Sequence, residues 1–168
     1  MSKPTYRIHV KRDRYKFSCA HMTVFPDGTK ERLHGHNYYL SVTVELHSIA
    51  FAEMVDFSPI KAAIATVCQE WKEHTLLATL NPYYELISES DTEIEFLLCK
   101  SRYVLPKEDV VLLPIDNLAV EPLSELACKK IVHELGDVLV PGVVESIEVT
   151  VEENPGQGAS TRHQIERV

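Results

Sequence analysis

Two runs of alternating residues constrain this chain most. Tyr15, Phe17, Cys19 and His21 alternate with small or polar neighbours, and Tyr38, Leu40, Val42, Val44 and Leu46 do the same further on. A period of two places each set on one face of a strand. A turn-rich stretch at Pro26-Asp27-Gly28 lies between them, so the spacing predicts a long antiparallel hairpin with a broad connection.

The rest of the chain supplies what that hairpin packs against. Ser58 is suited to cap a helix and Pro59 to its first position, where a missing N–H costs nothing. Ile60, Ile64, Val67 and Trp71 then form an apolar stripe that faces a sheet. A second helix is expected after Pro122, with Leu123, Leu126, Ala127, Ile131 and Leu135 on one side and Gly136 as its stop. Pro141-Gly142 marks a turn before the last expected strand, Ser146 to Glu152, in which Ile147, Val149 and Val151 alternate.

Between the helices, residues 82–116 read as an inserted hairpin. Ile94, Phe96 and Leu98 alternate, Lys100-Ser101-Arg102 turns, Tyr103-Val104-Leu105 returns, and an apolar run follows from Val110 to Leu113. No repeat, low-complexity tract or linker divides the chain, so one domain over residues 1–168 is expected. The order β-β-α-(insert)-α-β predicts an α+β fold with both helices on one face of an antiparallel sheet.

Composition narrows the function. With 17 Lys+Arg against 25 Asp+Glu the net charge is −8, which excludes a sequence-independent nucleic-acid binder. No apolar run approaches the ~20 residues that span a bilayer, and the first residues lack the apolar stretch of a signal peptide. A soluble, cytoplasmic protein is expected, with no membrane partner. Cys19, Cys68, Cys99 and Cys128 stand far apart with no CxxC pair, which suits reduced, mostly buried thiols.

The eight histidines are informative through their placement. On a strand, His34 and His36 point to one side and can converge on one point. His21 ends the preceding strand of the same hairpin, so pairing brings it beside them. Three neutral imidazoles without a fourth protein ligand form the pattern of a catalytic zinc site with an open position. Cys19 lies on the same face, either as a fourth ligand or as a small buried residue.

Phe17-Ser-Cys-Ala-His21, Leu33-His-Gly-His-Asn-Tyr38 and Met54-Val-Asp-Phe57 before a helix together resemble the 6-pyruvoyltetrahydropterin synthase and 6-carboxytetrahydropterin synthase family. The resemblance runs through the chain apart from the insert. It implies the tunnelling fold, of β-β-α-α-β-β type, commonly assembled as a hexamer of two trimers. It also implies a zinc ion on His21, His34 and His36 and a pterin substrate, 7,8-dihydroneopterin triphosphate. Glu153 matches the residue that anchors the pterin ring, with Glu152 as the off-by-one alternative. His74 matches the catalytic histidine, here following Glu73 where the family has an aspartate.

The family's catalytic cysteine is missing. Its position, four residues before His34, holds Lys30, and Glu31 is the nearest acid–base group. A branch of the family uses glutamate instead and cleaves the side chain by a retro-aldol step, yielding 6-hydroxymethyl-dihydropterin. Glu31 is therefore a candidate base, and Cys19 a second candidate. Lys30, together with Arg32 or Arg162, is a candidate contact for the triphosphate. Ahead of the second helix the family's threonine is absent, whether the alignment takes Asn117 to Glu121 or Leu123-Ser-Glu125. Two functions follow: a zinc-dependent pterin synthase or aldolase, or a non-catalytic zinc- and pterin-binding member of the fold.

Overall fold

In the computed structural model, which describes residues 5–166, β1 (Tyr6–His21) and β2 (His34–Leu46) form the expected antiparallel hairpin. Phe17 faces Tyr38, Cys19 faces His36 and His21 faces His34 across the pair. The apolar face is buried against α1 (Phe57–Trp71) and α2 (Val120–Leu135). Phe17 stacks on Tyr38 and meets Trp71 edge-on, both with ring centroids 5.3 Å apart. This aromatic trio anchors α1 to the end of the hairpin that carries the histidines.

Both helix starts differ from expectation. Asp56, not Ser58, caps α1: its carboxylate accepts the Ser58 N–H at 2.8 Å, and Ser58 lies in the first turn. A carboxylate is the stronger acceptor and complements the positive end of the helix dipole. The second helix begins at Val120, two residues ahead of Pro122. Pro122 sits in the first turn, where N–H groups have no helical partner and a proline removes nothing. Gly136 ends α2 with a positive φ of 42°.

The chain then adds a strand that alternation did not reveal. β3 (His74–Ala78) runs parallel to β1 and to β7 (Val110–Leu113). Residues 82–116 are therefore not one hairpin. β4 (Tyr84–Glu89), β5 (Glu93–Leu98) and β6 (Ser101–Pro106) form a separate three-stranded antiparallel sheet, and β7 leaves it for the main sheet. The β5–β6 turn is Cys99-Lys100, with φ of 49° and 66°, and Ser101 already pairs with Leu98. Two left-handed residues match the twist of the flanking strands.

β8 (Val144–Asn154) outruns the expected strand at both ends, and β9 (Gln157–Gln164) follows it. Ser146–Glu152 is thus not the last strand; polar β9 lies at an exposed edge and shows no apolar alternation. The main sheet has the order β7-β3-β1-β2-β8-β9, antiparallel from β1 to β9 and parallel at its β3 and β7 end. A second, smaller core of Met22, Val24, Leu77, Phe96 and Leu98 joins the insert to the segment just after His21. Among the described residues no helix is long and apolar enough to cross a membrane.

Candidate functional site

The β1–β2 register sets the histidine cluster. His21 and His34 face each other at the hairpin end, and His36 stands two residues along on the same face. Their ring centroids lie 4.6 to 5.4 Å apart, and one ligand atom from each falls within 4.8 Å of the others. His34 Nδ1 lies 2.7 Å from the Arg32 carbonyl, to which it donates. That bond fixes the tautomer and leaves a lone pair on Nε2.

His21 is buried, and its burial followed by the nearby His34 and His36 lowers its pKa, which favours the neutral ring that ligates metals. Its Nε2 lies 3.0 Å from Tyr38 Oη, and Tyr38 donates to Glu153 Oε1 at 3.4 Å. With that proton committed, Tyr38 Oη accepts from His21 Nε2–H, and Nδ1 carries the remaining lone pair. His21 Nδ1 is buried and has no partner in the chain. An unsatisfied buried lone pair within a three-imidazole cluster fits a cation. Burial holds the Tyr38 phenol well above its usual range, so it keeps its proton.

Glu153 closes the ring of contacts, with Oε1 3.3 Å from His36 Nε2. Both of its contacts use Oε1, which leaves Oε2 to a ligand. Strand alternation turns Glu152 to the opposite face, where it pairs with Lys11 at 2.5 Å. Glu31 reaches the cluster as well: its Oε2 lies 3.9 Å from His34 Nε2. His74 stands beside Cys19 in register, and Cys19 stands beside His36, so the three form a row across β3, β1 and β2. Two strand spacings put the backbones of His74 and His36 about 10 Å apart. A cleft of about 520 Å³ borders the row but is lined also by Ser18, Ala20, Gly35 and Asn37 and not by His21 or His34, and no hydrogen bond joins His74 to the other histidines among the described residues.

Several expected contacts go elsewhere. Lys30 Nζ donates to Tyr103 Oη at 2.6 Å, and Arg162 pairs with Glu45 at 3.0 Å and Glu148 at 3.6 Å. Arg32 alone of the three is exposed without an ion pair among the described residues. Glu73 does not orient His74; it pairs with Lys72, whose carbonyl accepts from His74 Nδ1 at 2.7 Å. The left-handed φ of Glu73, 61°, swings its side chain out of line with the strand. Burial pushes the Cys19 thiol up to about 12, so it stays a protonated core residue. Asn117 spends its amide on the Val24 backbone, and Ser124 is buried against Thr161 and the Glu121 carbonyl. Tyr38 was missed as a site residue, although its position two after His36 places it on the same face.

Three comparisons bear on this arrangement. The family profile of 6-pyruvoyl tetrahydropterin synthase matches residues 10–164. A Methanocaldococcus jannaschii protein bearing the name 6-carboxy-5,6,7,8-tetrahydropterin synthase is 34% identical over 155 residues, covering 90% of this chain and 91% of that one. Among solved structures, the 6-pyruvoyl tetrahydropterin synthase of Plasmodium vivax is similar at a TM-score of 0.87 and 28% identity, over 97% of this chain and all of that one. A variant of that enzyme, described as a catalytic-residue mutant with glutamate replaced by alanine, is similar at a TM-score of 0.86, again at 28% identity and over 97% of this chain and all of that one.

Proposed function

The chain belongs to the 6-pyruvoyl tetrahydropterin synthase family, and from that premise we propose a zinc-dependent lyase that shortens the side chain of 7,8-dihydroneopterin triphosphate by a retro-aldol step. The observation that carries this reading is the Glu31 carboxylate, 3.9 Å from His34 at the edge of the histidine cluster. It offers a base beside the cluster in a chain whose expected cysteine position holds Lys30. The Plasmodium vivax variant described by its replaced catalytic glutamate supports the same assignment. The curated relatives bear the name of the carboxy-forming reaction, but the residue expected for that chemistry is the cysteine this chain lacks.

Zinc on His21, His34 and His36 would act as a Lewis acid toward the side-chain hydroxyls, and an all-nitrogen imidazole set suits that metal. Glu31 takes the proton from the hydroxyl on the second side-chain carbon. The bond between the first and second carbons breaks, and its electron pair passes into the C=N bond of the dihydropterin ring. The second carbon leaves as the aldehyde that carries the triphosphate. His74 returns a proton to the first carbon, giving 6-hydroxymethyl-dihydropterin. Glu153 Oε2 accepts from the ring N–H or amino group and fixes its orientation. Arg32, exposed and without an ion pair among the described residues, offers a cation to the triphosphate.

Zinc-loaded protein incubated with 7,8-dihydroneopterin triphosphate should release the hydroxymethyl pterin, identified by chromatography and mass. A pyruvoyl or carboxy product would overturn the retro-aldol step. Unchanged substrate with measurable ring binding would instead assign a binding module. Glu31→Ala should lower kcat by at least about 100-fold; unaltered turnover removes Glu31 as the base.

A further inference from the structure

The insert has no part in the chemistry described so far, yet it holds the segment that carries Glu31 at three places. Residues 22–33 form a small folded loop: Val24 bridges Lys30, the Phe25 N–H donates to the Thr29 carbonyl at 2.8 Å, and the Glu31 N–H donates to Thr23 at 2.9 Å. Its root, Met22 and Val24, is buried against Phe96 and Leu98 of β5. Its turn rests on Tyr83. Gly28 has a φ of 81°, and a Cβ there would stand 2.9 Å from the Tyr83 ring, while Tyr83 Oη donates to the Pro26 carbonyl at 3.3 Å.

The last hold lies next to Glu31. Lys30 Nζ donates to Tyr103 Oη at 2.6 Å and sits 5.2 Å from the centre of that ring. Tyr103 is itself fixed by stacking on buried Phe96, with centroids 5.1 Å apart. The side chain preceding the base is therefore tied to a rigid sheet. Glu31 itself is half exposed, with no hydrogen bond from its carboxylate to hold it.

We infer that Tyr103 is a positioning residue: through Lys30 it holds the backbone of Glu31 so that the carboxylate faces His34. The three-stranded insert is then the template for the base-bearing loop. This rests on Glu31 being the base, as proposed above. Misplacing a catalytic group by a fraction of an ångström lowers the rate of the chemical step while leaving substrate binding largely intact.

Tyr103→Phe keeps the ring and its stacking but removes the oxygen that accepts from Lys30. It should lower kcat about tenfold with KM unchanged, and Lys30→Met should do the same. The double variant should be no worse than either single one, because both remove one contact. Amide hydrogen exchange gives a second readout that needs no substrate. In Tyr103→Phe the amides of Phe25, Gly28 and Glu31 should exchange faster, with those of β1, β2 and α1 unchanged.

Unaltered exchange at Glu31 would overturn the inference. So would faster exchange with wild-type kcat. A Lys30→Met variant whose KM alone rises would also overturn it, since Lys30 would then be a substrate contact. If the wild-type protein turns over no pterin, the functional reading fails, and the exchange result alone decides whether Tyr103 holds the loop.

Discussion

His21 is asked to be buried, neutral and unsatisfied at once, and each condition has a separate source. Burial comes from its place at the end of β1, neutrality from that burial and from its two histidine neighbours, and the vacant Nδ1 from the Tyr38 proton going to Glu153. If zinc sits on the three imidazoles as proposed, His21→Ala should abolish its binding: zinc content measured by atomic emission should fall from about one per chain to near zero. Retention of full zinc would mean that His21 is not a ligand. These residues were legible because a period of two decides which side chains share a face. The same rule separated Glu153 from Glu152. Lys30 and Glu73 were not legible, because their partners, Tyr103 and Lys72, are chosen by the fold of the insert and by one left-handed residue.

At the scale of elements, α1 is the part that the alternation of the hairpin cannot stabilise alone. Trp71 is fully buried at its last turn and meets Phe17, three strand positions from His21's neighbour Ala20. Trp71→Ala should cost about 3–5 kcal/mol of stability, read as a lowered midpoint in urea unfolding, with greater exposure of the hairpin end that carries the histidines. A loss well below that range would show that the aromatic trio does not anchor the helix. Both helices and the central hairpin could be read from periodicity and punctuation. β3 could not: it is short, parallel to both neighbours and buried over Leu76, Leu77 and Ala78, so nothing alternates. In the insert the β5–β6 pair was legible, whereas β4 was not, because it is exposed along nearly all its length and shows no buried alternation, and β7 belongs to the main sheet.

For the whole molecule, the sheet ends at two open edges, β7 and β9, and an open edge invites pairing with another chain. Ile49, Phe51 and Met54 also form an exposed apolar group, with Phe51 94% exposed. Single exposed residues need no explanation, but a cluster of this kind suits a subunit surface. We propose the homohexamer of two trimers that the family resemblance implies. Light scattering should give a mass near that of six 19.1 kDa chains, and a monomer mass at micromolar concentration would reject it. Charge also bears on the proposed substrate at this scale: a net charge of −8 opposes a triphosphate, so its capture would depend on local cations such as Arg32.

The hairpin also dictates an order of assembly. His21, His34 and His36 leave the ribosome within a short stretch of consecutive chain, and their mutual placement depends on one local strand pairing. Glu153 is synthesised more than a hundred residues later and reaches the cluster only when β8 docks on β2. A nascent chain thus possesses its three imidazoles long before it possesses the carboxylate beside them. Assembly of the imidazole cluster and arrival of the carboxylate beside it are separate events in the life of the molecule, and the β8–β9 hairpin decides the second.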